Sequence, residues 1–153
     1  MAVYLVRHAK AGSRQAWKGD DALRPLSAPG WEQSRALGKR IAKLQPTRLV
    51  SSPYVRCVQT LEPLANGCGL QVTVDDRLGE GSSAGAAHDL LFEVPDRAVL
   101  CSHGDVIPDL IGALQRMGTA IATAPDWRKA TVWRLERTAD GDWVSASVTP
   151  PPS

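Results

Sequence analysis

The 153 residues, 43% hydrophobic and 22% charged, match one soluble globular domain and exclude a disordered or fibrous chain. A domain of this length buries roughly 68–70% of its unfolded surface, so it needs no disulfides; Cys57, Cys68 and Cys101, odd in number and outside C-x-x-C spacing, read as free thiols in a reducing compartment. The net charge is +2 with basic residues scattered among acids, and no apolar run approaches the length that spans a bilayer. A nucleic acid polymer and a membrane are therefore not expected partners, and the expected location is cytoplasmic.

In chain order, Ala2–Val6 is a short, wholly apolar run, the pattern of a central strand buried on both faces. A polar stretch follows from Ala9 to Pro25. Ser27 is placed to cap the next helix, with Pro29 in its first turn and Leu37, Ile41 and Leu44 at helical spacing until Pro46 stops it. Arg48–Ser51 reads as a second strand. Pro53 opens a helix from Tyr54 to about Ala65, which Asn66-Gly67 is expected to end. Gln71–Val74 is a third strand, Asp75 to Ala87 a glycine-rich loop, and Ala87 to Phe92 a short helix.

Arg97–Cys101 carries another wholly apolar core, with Cys101 buried. From Asp105, the residues Val106, Ile107, Leu110, Ile111, Leu114 and Met117 make the strongest amphipathic pattern in the chain, and Pro108 is tolerated in its first turn. Thr131–Arg137 and Trp143–Val148 alternate apolar with polar residues around Asp140-Gly141, a β-hairpin expected at a sheet edge. Pro150-Pro151-Pro152 joins neither element, so residues 1–149 are expected to form one domain with a loose tail at 150–153. Alternating strands and helices with a closing hairpin predict a three-layer α/β/α sandwich around a mostly parallel sheet with a C-terminal antiparallel hairpin.

Ligands of open α/β sheets sit beyond the carboxyl ends of the strands. Here the first strand runs into Arg7 and His8, and the second into Ser51, Ser52 and, one helical turn on, Arg56. The third gives way to a loop carrying Glu80, and the fourth runs into Ser102, His103, Gly104 and Asp105. Two of the three histidines thus stand at strand ends. Such a set suits phosphoryl transfer, which asks for an in-line nucleophile and positive charge around the equatorial oxygens. A neutral imidazole attacks phosphorus, arginine forks bind two oxygens at once, and a carboxylic acid protonates the leaving oxygen.

These motifs resemble a known family. The pieces L-V-R-H-A-K-A-G (Leu5–Gly12), R-P-L-S-A-P-G (Arg24–Gly30), S-S-P-Y-V-R-C-V-Q-T (Ser51–Thr60), L-G-E (Leu78–Glu80) and S-H-G-D (Ser102–Asp105) are similar to those of the histidine phosphatase superfamily, also called phosphoglycerate-mutase-like. Within it, Arg7-His8-Ala9 in place of R-H-G resembles the short phosphohistidine-phosphatase (SixA-like) branch. The resemblance implies a phosphatase with His8 as the nucleophile, Glu80 as the general acid, and Arg7, Arg56 and His103 binding the phosphoryl group. It implies neither cofactor nor metal, and a phosphoprotein, nucleotide or small phosphoester as substrate.

The sequence departs from the family where Gly81-Ser82-Ser83 follows Glu80 in place of a W-E-G-like segment, which leaves Asp105, Asp20 and Asp21 as competing acids. Two other readings stand beside a phosphatase: a phosphate-binding regulatory domain without catalysis, and a metal-dependent phosphoesterase. Three histidines spread along the chain offer little for the latter's ligand set. As purely structural residues, Arg7 would pair with Asp105 or Glu80, and Arg56 would be a solvated helix residue.

Overall fold

The computed structural model describes residues 1–152; the last residue of the expected tail, Ser153, lies outside the described residues. Five of the six residues of β1 (Ala2–Arg7) are buried, because the strand lies inside a seven-stranded sheet with helices on both faces. The other strands are β2 (Arg48–Ser51), β3 (Val72–Val74), β4 (Ala98–Ser102), β5 (Ala120–Ile121), β6 (Val132–Arg137) and β7 (Trp143–Thr149), in the order β3-β2-β4-β1-β6-β7-β5. Only β6 runs against the rest: it is antiparallel to both β1 and β7, whereas β1–β4, β4–β2, β2–β3 and β7–β5 are parallel. The β6–β7 hairpin forms as expected, but not at a sheet edge. It lies between β1 and β5, a two-residue strand too short to leave a periodic signal.

The pleat divides the core. Ala2, Tyr4 and Val6 of β1 face α1 (Ala28–Ala42) and α2 (Val55–Cys68), while Val3 and Leu5 face α3 (Ala84–Glu93) and α4 (Val106–Arg116). Ser27 caps α1 through its side chain, and Pro29 lies in the first turn. The outcome is the three-layer α/β/α sandwich that the alternation predicts. Among the described residues, no helix is long and apolar enough to cross a membrane. The carbonyl of Pro150 accepts from Arg40 at 2.8 Å, and Pro151 and Pro152 are half-buried.

Two helix limits differ from expectation. α3 begins at Ala84, because Ser83 caps it by accepting from the Ala86 N–H, and Gly85 does not interrupt it. α2 continues through Asn66 and Gly67, and its left-handed cap is Gly69 at φ +67°. A glycine is needed where φ is positive, not where a turn pair stands in the sequence. Gly69→Ala should therefore destabilise the protein by roughly 1–2 kcal/mol, whereas Gly67→Ala, with open space for its Cβ, should stabilise it by about 0.5–1 kcal/mol. Urea unfolding midpoints at constant m measure both; if Gly67→Ala is the damaging change, the helix ends where the sequence pair suggested.

Candidate active site

The site follows from strand register. Arg7 of β1 lies opposite Ser102 of β4, and the His8 N–H donates to the Ser102 carbonyl at 3.1 Å, continuing the ladder one residue past β1. On the other side of β4, Ser51 lies opposite Cys101, and the Ser52 N–H donates to the Cys101 carbonyl at 3.0 Å. Three strands thus end at one level, and the residues that follow them meet. The ring centroids of His8 and His103 are 5.4 Å apart, edge to face.

His8 is 5% exposed. Its Nδ1 lies 2.8 Å from the Ala9 carbonyl oxygen, which can only accept, so Nδ1 carries the proton and the lone pair is on Nε2. Burial drives its pKa down to about 3; the Ala9 contact opposes this, while the charges of His103, Arg56 and Arg7 add to it. His8 is therefore a neutral imidazole among cationic groups.

Those neighbours share an unusual property. Six buried side-chain nitrogens lack a hydrogen-bond partner among the described residues, and three of them are Arg7 Nε, Arg56 Nε and His103 Nδ1. Buried donors are nearly always satisfied, so three orphans around one imidazole mark a place shaped for an acceptor. For His103 the local bonds explain the orphan. The Ser52 hydroxyl accepts from the Tyr54 N–H at 3.2 Å and lies 2.8 Å from His103 Nε2. The hydroxyl contact occupies Nε2, on the opposite side of the ring, and leaves Nδ1 as the nitrogen without a partner.

Arg7 donates to the Trp127 carbonyl and, among the described residues, pairs with neither Asp105 nor Glu80, contrary to the ion-pair alternative. Its guanidinium packs so closely over Gly104 that an added Cβ there would come within 2.6 Å of Cζ. Gly104 is thus a close-approach glycine. Burial lowers the Arg7 pKa against the raising influence of Asp105. Arg56 is 1% exposed, not solvated. Its terminal nitrogens reach the Asp21 carbonyl (2.9 Å), Asp21 Oδ2 (3.0 Å) and Glu80 Oε2 (2.7 Å), and its guanidinium lies 4.9 Å from the Tyr54 ring centroid.

The competing acids separate by their contacts. Glu80 lies at the rim, accepting from Arg56 and, at 3.0 Å, from Arg14. Asp105 has both oxygens occupied by backbone, accepting from Val106 N–H and Gly81 N–H at 2.8 Å each, so it caps α4 and holds the Glu80 loop against it. The first N–H of α4 is thereby taken. Asp20 caps the 3₁₀ turn Asp21–Leu23. For Asp21, burial acts to raise the pKa, but hydrogen bonds from Arg24 and Arg56 outweigh it and hold the group below the usual carboxylate range.

Several supporting residues stand outside the set named from the sequence. Within S-P-x-x-R-x-x-Q-T, Thr60 accepts from the Ala9 N–H at 3.0 Å, fixing the loop behind His8, and Gln59 accepts from Leu26 N–H at 2.8 Å. The motif could have suggested both. Lys129 could not be found that way. It is half-buried just before Ala130, a residue at φ +66° whose N–H is shared between the Arg7 and His8 carbonyls. Burial lowers the Lys129 pKa, and the charges of Arg7, Arg24, Arg56 and Arg14 lower it further. Among the described residues, no group of three or more His, Cys, Asp or Glu side chains gathers as a metal-binding set.

Comparison with known proteins bears on the fold and the family. Over 98% of its length the chain is 35% identical to an 8-oxo-(d)GTP phosphatase of Mycolicibacterium smegmatis, of which the match covers 48%. Over 52% of its length it is 34% identical to a probable phosphoglycerate mutase, GpmB, of Salmonella paratyphi C, covering 38% of that protein. The chain thus spans about half or less of these curated relatives. The fold is that of the protein histidine phosphatase SixA solved with tungstate, with a TM-score of 0.76 at 20% identity, covering 100% of this chain and 97% of that one. The corresponding figures for the phosphohistidine phosphatase SixA of Agrobacterium tumefaciens are 0.75, 18%, 98% and 98%. Residues 3–94 match the family model of the histidine phosphatase superfamily (branch 1), and the chain belongs to that family.

Proposed function

We propose that this chain is a phosphatase that hydrolyses a phosphomonoester or phosphohistidine through a covalent phosphohistidine on His8. The observation that carries the reading is the set of three unpartnered buried donors, Arg7 Nε, Arg56 Nε and His103 Nδ1, around a neutral imidazole. Their charge suits the equatorial oxygens of a transferring phosphoryl group, and their positions are fixed before substrate arrives. His8 Nε2 attacks phosphorus as the P–O bond to the leaving group breaks, and Glu80 delivers a proton to that oxygen. Water then attacks phosphorus as the N–P bond breaks, gives a proton back to Glu80, and releases phosphate and neutral His8. For Glu80 to act, Arg56 and Arg14 must release it, and a phosphoryl group drawing on Arg56 supplies a reason for that exchange. The name of the Mycolicibacterium relative keeps nucleotides among the candidate substrates.

Replacing His8 with Ala should leave the fold intact and reduce turnover to background, because the attacking atom is gone. In wild type, acid quenching at early times should destroy a base-stable phosphoryl-protein, and alkaline quenching should preserve it on His8. Label on Ser52 or Asp105, or phosphate binding with no turnover at all, would sink the catalytic reading and favour a regulatory phosphate-binding domain.

The neutral state of His8 has a sign that can be measured. Its folded pKa lies near 3, below the 6.5 of an exposed histidine, so the unfolded chain binds the extra proton between those values. Stability from this group is complete above pH 6.5 and falls by about 1.4 kcal/mol per pH unit as pH drops toward 3. His8→Asn should flatten that slope in urea titrations between pH 6 and 4; parallel wild-type and variant curves would mean that His8 charges freely in the folded protein.

Glu80→Gln tests the acid. A general acid contributes roughly 10²–10⁴-fold, and it matters for basic leaving groups. Loss on an alkyl phosphate should exceed loss on p-nitrophenyl phosphate by that order. Equal loss on both would assign Glu80 to holding Arg56 and Arg14.

A further inference from the structure

The geometry points to a second anion subsite beside the phosphoryl hole, centred on Lys129 and Lys10, that selects substrates in which the scissile phosphoryl group belongs to a condensed phosphate chain. The inference rests on the phosphatase reading and specifies its substrate class. A groove of about 630 Å³ is lined by Arg7 together with Lys10, Gln33, Arg128, Lys129 and the prolines 150–152. Four cationic side chains line it, and among the described residues no carboxylate does. Among the described residues, neither Lys10 nor Lys129 forms an ion pair. Arg128 is held by Asp126 at 2.6 Å, so the uncommitted charge belongs to the two lysines.

Lys129 is held against its own electrostatics. It is half-buried and sits in the field of Arg7, Arg24, Arg56 and Arg14. Asp21 and Glu80 already bond to three of those arginines, and neither lines the groove. A cation kept among cations without a counter-charge is relieved by an incoming anion. Arg7 belongs to both places, since its Nε is an orphan beside His8 and the residue also lines the groove. An anion in the groove therefore shares a guanidinium with the scissile phosphoryl group. That adjacency fits neighbouring phosphoryl groups of one chain better than a carboxylate several residues away on a peptide. Lysine serves such a chain well, because as a point charge it accepts any phosphate orientation.

Calorimetry with two non-hydrolysable probes, methylphosphonate and methylenediphosphonate, tests the subsite without requiring turnover. Wild type should bind the diphosphonate at least tenfold more tightly. Lys129→Gln and Lys10→Gln should each reduce that preference by about tenfold, the effect of losing one charge-assisted contact. Lys43→Gln, the same charge change at the C-terminal end of α1, should leave the preference in place. Equal affinities in wild type, or a preference that survives Lys129→Gln, would overturn the subsite. So would a phosphopeptide with acidic flanks that depends on Lys129 as strongly as the diphosphonate does. Failure of wild type to hydrolyse p-nitrophenyl phosphate would sink the phosphatase reading alone, leaving the affinity ratio to decide the subsite.

Discussion

Parallel pairing of β1 with β4 is the constraint from which the site descends. Because Arg7 is level with Ser102, the residues after each strand leave the sheet together, and His8 and His103 become edge-to-face neighbours without any long-range adjustment. The β4–β2 pairing adds Ser52 and the start of α2 at the same level, which brings in Arg56. A one-residue slip in either ladder would reverse which side chains face each helical layer and separate these groups. The buried alternation of β1 makes such a slip costly, so core packing and site assembly are enforced by the same residues.

That assembly runs against ordinary stability. Burying a guanidinium costs several kcal/mol unless it is well paired, and Arg56 is nearly inaccessible yet keeps Nε unbonded. Asp21 and Glu80 reduce the cost from one side only. Arg7 is relieved by a backbone carbonyl, which accepts without neutralising it. The fold therefore holds a local excess of positive charge in place, with the imidazole of His8 kept neutral at its centre. Sites that break the usual rules of polar satisfaction do so where function requires it.

Much of this was legible in the sequence, and the limits have physical causes. The wholly apolar runs of β1 and β4 announced central strands, so the residues just past them were natural candidates, and the structure brings His8, Arg7, Arg56 and His103 together. Glu80 was harder, since a loop carboxylate is located by its contacts and not by its neighbours in sequence. Strand pairing also escaped the sequence: alternation marks the β6–β7 hairpin, but nothing local tells that β6 adds to β1 and that β5 covers β7. The contact Ser52 makes, and any part for Lys129, were invisible for the same reason. One acts through the far nitrogen of a histidine, and the other reaches the site from a loop after the last recognisable motif.

The placement of the hairpin inside the sheet bears on how the molecule behaves toward copies of itself. With β6 and β7 enclosed, the two outer strands are β3, of three residues, and β5, of two. An unpaired strand edge is a template for another chain, and its attraction grows with the number of free N–H and C=O groups in line. Here each edge offers barely one turn of the pleat, although Val74 on β3 is 58% exposed. The long, sticky strands are all interior, and what faces outward is too short to nucleate a ladder. Resistance to edge-to-edge aggregation is thus built into the strand order itself.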